Sequence, residues 1–228
     1  MATTYESLLT EVLPMVPGCP DSLIIQHIRA ATIELCEKSS VYQQQLDAIS
    51  TVANMYEYEF DAPLSTSVHK IVWGVLSGDS LEPVSSGMLE QRIPNWRNQT
   101  GTPEYVLKND LSTFWIAPVP SASTANSLIL RVALKPTYTS TSCDDTVMSD
   151  YRDTIVNGAI GRLLRIPSKE WSDVNTASVY FGFYNEGVIS AEQYARRGDT
   201  PAVGKVNYGG IAPSNRKAQK YTGKRLSF

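Results

Sequence analysis

Two histidines, one acidic cluster and a few short motifs are the places where this sequence could carry chemistry. His27 lies in a run of helical spacing, beside its apolar face, and His69 lies in the strand-like run VHKIVWGVL. No H-x-H, H-E-x-x-H or Cys/His cluster accompanies them. Zinc is therefore not expected, and both histidines read as structural or exposed. Asp144, Asp145, Asp150 and Asp153 resemble a cation site, but the D-x-D-x-D-G spacing of a calcium loop is missing. They are expected to cap and charge the start of the helix that follows. Gly198-Asp-Thr-Pro-Ala-Val-Gly204-Lys205 looks like a phosphate loop, yet it is one residue out in spacing. Val206 stands where magnesium needs a hydroxyl, and no strand precedes the segment. Ser214-Asn-Arg-Lys217 fits S-x-x-K without preorganised surroundings. Asn98-Gln-Thr100 is a glycosylation sequon that matters only on a secretory route. No catalytic residue, metal or cofactor is expected.

The aromatic residues point the same way. Tyr180, Phe181 and Tyr184 recur at helical spacing, which suits a core face better than a base-stacking platform. Trp96 and Trp115 lie among turn-rich strands, and core packing is again the expectation over exposed contacts. Cys19, Cys36 and Cys143 are odd in number and widely spaced, so neither a disulfide framework nor a metal motif is expected. Reduced thiols are the simplest reading, with Cys36 a small core residue.

The elements that hold these residues follow from periodicity. Tyr5, Leu8, Leu9 and Val12 share a helical face, and Pro14 and Pro17 end that segment. Pro20 and Asp21 open a second helix, with Asp21 or Ser22 as its N-cap, and Ile24, Ile28, Ala31 and Leu35 mark its apolar stripe. Val52–Phe60 and Val68–Leu76 read as strands, followed by strand candidates at Glu104–Lys108, Thr113–Ala117 and Ser127–Leu134. Helical spacing returns at Tyr151, Ile155, Ala159, Leu163 and Leu164, and Pro167 stops it. Ser168 is the expected cap of a last helix that runs to about Arg197, with Gly182 and Gly187 as soft spots and Gly198 as its C-cap.

The fold class is therefore α+β. Residues 1–40 and 146–197 are expected to form an antiparallel helical bundle, and residues 41–145 an inserted small β sandwich or partly open barrel. Residues 198–228 are expected to form an extended basic C-terminal arm.

Apolar content of 42% and charged content of 19% suit a folded chain, and no apolar run reaches the ~18 residues of a membrane span. The N-terminus carries Glu6 and Glu11 and lacks a basic n-region, so a signal peptide is not expected. The net charge of −3 is divided unevenly. Residues 205–228 hold six basic side chains and no acidic one, which leaves 14 basic against 23 acidic, or −9, in residues 1–204. Such a division suggests that the arm meets an acidic partner, protein or nucleic acid.

Several stretches occur in an order that carries a resemblance. They are Leu13-Pro14 with the helix at 21–38, then Gly101-Thr-Pro-Glu-Tyr105, then Trp115-Ile-Ala-Pro118-Val-Pro120. Leu128-Ile-Leu-Arg-Val-Ala-Leu134-Lys-Pro136 follows, and then a helix pair at 147–166 and 169–197. Over about residues 5–197 the chain resembles the head–tail adaptor family of short-tailed phages, the tail tubular protein A type. The resemblance implies a virion protein at the head–tail junction, assembled in the host cytoplasm, with no catalytic residues. It implies a ring of this chain, usually twelve copies, docked below the portal protein with the tail nozzle protein beneath. Genomic DNA would pass through the ring without sequence recognition, and no membrane is involved. The arm matches no motif of the family. Its Lys205, Arg216, Lys217, Lys220, Tyr221, Lys224, Arg225 and Phe228 are the expected portal-binding residues, and the nozzle-facing residues of the β region are unknown. The alternatives are another virion part, such as a tail terminator or minor capsid protein, or a glycan-binding tail component.

Overall fold

The computed structural model describes residues 2–197. The chain opens with a short strand, β1 (Ala2–Thr4), and then a mixed 3-10 and α segment whose α part is α1 (Leu9–Val12). Tyr5, Leu8 and Val12 are fully buried, as their spacing predicts, and a 3-10 turn through Pro14 ends the segment. Helix α2 (Asp21–Ser39) follows. Its N-cap is Pro20, not Asp21 or Ser22: Pro20 is extended, and Asp21 is already the first helical residue. A proline fits there because the donors it cannot supply are those a helix start leaves unpaired.

The middle of the chain holds β2 (Gln43–Gln45), β3 (Ile49–Thr51), β4 (Glu57–Glu59), β5 (Thr66–Leu76) and β6 (Asp79–Pro83). Helix α3 (Ser86–Arg92) comes next, capped by the Ser85 hydroxyl. Then come β7 (Thr100–Gly101), β8 (Tyr105–Lys108), β9 (Thr113–Ala117), β10 (Val119–Pro120) and β11 (Thr124–Pro136). Eight of these strands form one curled sheet, a half-barrel, in the order β2-β11-β5-β6-β8-β9-β4, with β3 also paired to β11. The five expected strands are thus too few. The expected strand at Val52–Phe60 shrinks to β4 because Tyr58 turns its hydroxyl onto the 52–55 turn, accepting from Val52 N and donating to Met55 O. Strand β6 was not expected. Its first half pairs antiparallel with β5 and its second half parallel with β8, so it alone joins the two parts of the sheet.

The chain returns through β12 (Ser142–Asp144), which pairs antiparallel with β1, and then α4 (Asp145–Asp150), α5 (Arg152–Leu164) and α6 (Val174–Arg197). The single helix expected at 147–166 is broken at Tyr151, whose φ/ψ of −114°/24° lies outside the helical region. The last helix starts five residues later than expected. Ser168 does not cap it but adopts a positive φ, while the Asp173 carboxylate accepts from the backbone N–H groups of Asn175 and Thr176. Those bonds hold the Asp173 carboxyl below its ordinary range, the contact with Thr176 leading.

Two main cores result. One joins Tyr5, Ile28, Leu35, Ile155, Leu163, Tyr184 and Val188, so both chain ends contribute to it. The other fills the curl of the sheet with Val68, Ile71, Phe114, Ile116, Leu128, Leu130 and Val132. Glycines set the spacing of the first core. A Cβ on Gly158 would lie 2.6 Å from the Tyr184 ring and 3.1 Å from Ala31 Cβ, so α2, α5 and α6 meet at this point. Gly187, expected as a soft spot, is instead a contact: a Cβ there would collide with Thr154 of α5. Gly182 has open space around it.

Candidate functional site

The two histidines lie on separate elements, His27 on α2 and His69 on β5, and both are half-buried. Burial lowers the tendency of each to take a proton, with Arg162 adding to the effect at His27. The three cysteines are free and buried. Cys36 and Cys143 share a hydrogen bond that, with burial, pushes the Cys36 thiol well up. A thiol held protonated is a poor nucleophile. Three of the four acidic residues serve helix starts: Asp144 accepts from Thr146 N at 3.0 Å, and Asp145 and Asp153 lie in the first turns of α4 and α5, whereas Asp150 is the last residue of α4. Among the described residues no group of three His, Cys, Asp or Glu side chains could hold a metal ion. Among them, too, no helix is long and apolar enough to cross a membrane.

What the fold does bring together is the pair of stretches quoted from the β region. Thr100 and Gly101 pair in parallel with Val119 and Pro120, and Tyr105 pairs with Ala117 across β8 and β9. Val119 N donates to Gln99 O and Ser121 N to Gly101 O, both at 3.0 Å. Gly101 has a packing reason to be glycine, since its Cβ would lie 3.3 Å from Pro118 Cγ. The G-T-P-E-Y and I-A-P-V-P stretches are thus two sides of one clasp.

An aromatic cluster backs this clasp. Trp96 is buried, as expected, and donates from Nε1 to Glu90 at 3.1 Å. Tyr56 meets Trp96 and Trp115 edge-on, with ring centroids 5.3 and 6.0 Å away. The Arg97 guanidinium lies over both indoles, 4.5 Å from the Trp96 ring and 5.0 Å from the Trp115 ring. Trp115 is only half-buried, so it serves both core and surface.

Three further surfaces stand out. A cavity of about 810 Å³ runs along β4, lined by Ile49, Met55, Tyr56, Glu57, Tyr58 and Glu59 among others. A groove of about 360 Å³ lies where α2 and α6 end against β5, with Glu37, Lys38, His69, Lys70, Glu192 and Arg196 in its walls. Helix α6 exposes Val179, Phe183 and Tyr194 at helical spacing on the side away from its core. The alternation of Tyr180, Phe181 and Tyr184 is correspondingly mixed: Tyr184 is buried and donates to Ala31 O at 2.9 Å, while the other two are half-buried.

The arm residues Lys205, Arg216, Lys217, Lys220, Tyr221, Lys224, Arg225 and Phe228 lie outside the described residues. So do the phosphate-loop-like segment, the S-x-x-K motif and Gly198. Motif reading missed the surface along β4. Its signal was charge: residues 39–69 carry Asp47, Glu57, Glu59 and Asp61 and no Lys or Arg.

The model of the SU10 adaptor protein family matches residues 3–205. No curated protein gives a significant match to the chain.

Proposed function

Because the chain belongs to the SU10 adaptor protein family, a family of structural phage adaptors consistent with the resemblance above, we propose that it forms the connector ring between portal and tail nozzle. The observation that carries this reading is the family match, which takes in both cores and the clasp of the β region. Copies stand side by side in a closed ring, each presenting one surface to the next and a different surface to the last. The exposed apolar stripe of α6 supports such a contact, because a neighbouring copy would remove Val179, Phe183 and Tyr194 from water.

In this reading residues 1–40 and 146–197 form a helical bundle that makes the ring wall. Residues 41–145 project as a β unit toward the nozzle. The −9 charge of residues 1–204 supports a channel wall that repels phosphates, so that DNA slides without sticking. The arm, 198–228, grips the portal through Lys205, Arg216, Lys217, Lys220, Tyr221, Lys224, Arg225 and Phe228. The completed head then accepts a tail.

The test is an image of the chain assembled with its portal. A ring below the portal is expected, and a monomer on the tail surface would overturn the reading. Deleting 205–228 is expected to abolish docking to the portal. Docking that survives the deletion would remove the arm from the mechanism and leave the ring standing. DNA binding with a steep salt dependence, lost on the same deletion, would make the arm a nucleic-acid contact instead.

A further inference from the structure

The half-barrel does not close. Among the described residues, β4 at one end of the sheet pairs only with β9, and at the other end β3 pairs only with β11. The 810 Å³ cavity takes Ile49 from β3 and Glu57, Tyr58 and Glu59 from β4 in its lining, so it occupies the open seam between the two free edges.

The polarity of that edge follows from its hydrogen bonds. Ile116 N donates to Tyr56 O at 3.0 Å, and Phe60 N donates to Ser112 O at 2.8 Å. Residues alternate along an antiparallel ladder. Tyr56, Tyr58 and Phe60 therefore bond to β9, and the N–H and C=O of Glu57 and Glu59 face the seam. Their side chains are exposed, whereas Tyr58 between them is buried on the inner face. An edge of this kind is a template for one more strand.

Charge selects the strand. No Lys or Arg occurs anywhere in residues 39–69, which carry four carboxylates. The chain's own residues 205–228 carry six basic side chains and no acidic one. Their last part alternates: Arg225 and Ser227 are polar, Leu226 and Phe228 apolar. In a strand added to β4, that alternation sets Arg225 on the side of Glu57 and Glu59 and the apolar pair on the side of Tyr58. Length is no obstacle. The 31 residues after Arg197 span up to roughly 100 Å at about 3.3 Å each, and a body of this size has a radius of gyration of roughly 16 Å.

We propose that the seam between β3 and β4 is the docking site of the chain's own C-terminal segment, residues 205–228, which adds a strand to the free edge of β4. This goes beyond the adaptor role and does not depend on it: it states where the arm sits when no portal is present. Tethering makes a weak contact sufficient. At an effective concentration on the order of 1 mM, a segment that binds with a Kd of about 0.1 mM when free is docked about ten times more often than not.

The experiment is limited trypsin cleavage of the full chain against a synthetic peptide of residues 205–228. Cleavage after Lys220, Lys224 and Arg225 is expected to be about tenfold slower in the full chain, at a rate independent of protein concentration. Glu57→Lys with Glu59→Lys is expected to bring it to the peptide's rate. A second variant leaves the body untouched: Lys220→Glu, Lys224→Glu and Arg225→Glu together are expected to speed amide exchange at Glu57 and Glu59 about tenfold. Combining both sets of changes is expected to restore slow exchange. An arm cut as fast as the peptide would overturn the proposal. So would edge amides indifferent to the arm's charge, or protection that grows with protein concentration.

Discussion

Gly158→Ala tests whether α2, α5 and α6 are spaced by the absence of a single side chain. A Cβ at position 158 would lie 2.6 and 2.7 Å from two Tyr184 ring carbons. Reaching ordinary contact at 3.4 Å requires the ring to move by about 0.8 Å. The ring is not free to do so, because Tyr184 is buried and its hydroxyl donates to Ala31 O at 2.9 Å. A shift of that size stretches the bond beyond a useful hydrogen-bond length. Overpacking costs about 1–3 kcal/mol, and the weakened bond adds about 1 kcal/mol. Alanine's better helix propensity returns about 1 kcal/mol, which leaves a net loss of about 1–3 kcal/mol. For a chain of this length that lowers Tm by roughly 2–12 °C. Gly182→Ala is the control, since nothing lies within 4 Å of its Cβ, and it is expected to gain about 1 kcal/mol. Thermal melts followed by helical circular dichroism read both. A Gly158→Ala chain as stable as the parent, with the Gly182→Ala gain present, would refute the close packing of the three helices.

Trp96→Ala empties the centre of the aromatic cluster and is expected to cost about 3–5 kcal/mol, seen as a lower urea midpoint with loss of the near-ultraviolet tryptophan signal. Burial lowers the pKa of His27 and of His69 in the folded chain, so the unfolded chain takes the proton first. Their contribution to stability is therefore full above about pH 6.5 and is lost as the pH falls below it, and His27→Gln is expected to flatten that part of the Tm-versus-pH curve. Tyr42 is pushed up to about 12 by burial, with nearby Asp144 adding to it. Burial raises Tyr5 and Tyr184 further. The unfolded chain then loses these protons first, so stability present below pH 10 is expected to fall as the pH rises past it. The part of the tyrosinate absorbance that belongs to Tyr5, Tyr42 and Tyr184 should accordingly appear together with the loss of helical signal.

Elements with strong local signals were legible in the sequence. The stripe Ile24, Ile28, Ala31, Leu35 gives α2, and Thr113–Ala117 is a strand at the limits its alternation suggests. Boundaries went astray where one side-chain contact decides the matter. Asp173 captures the amides that start α6, and nothing local ranks it above Ser168 as a cap. Strands β2, β3, β7, β10 and β12 are two or three residues long and owe their existence to partners far along the chain. Such pairing has no local period to betray it. Gly187 looked like a weakness in a helix because the Thr154 side chain it admits belongs to another one. The clasp of the β region was visible as two proline-rich stretches, but not that they pair with each other. The seam was legible only as charge, in the acidic stretch from 39 to 69.

The pairing of β1 with β12 also constrains the order of folding during synthesis. Ala2 lies opposite Asp144, so the first residues made must wait for the chain to return. The half-barrel core needs only residues from Leu46 to Leu134. The other core is incomplete until Ala191, made 57 residues later. At about 5–20 residues per second that is a delay of roughly 3–11 s. During it the sheet has all its parts, while the apolar faces of α1 and α2 still lack α5 and α6 to cover them. Ribosome-bound chains stopped shortly after residue 134 and shortly after residue 191 would separate the two stages. The nascent chain thus passes through a window in which the apolar faces of its N-terminal helices are uncovered.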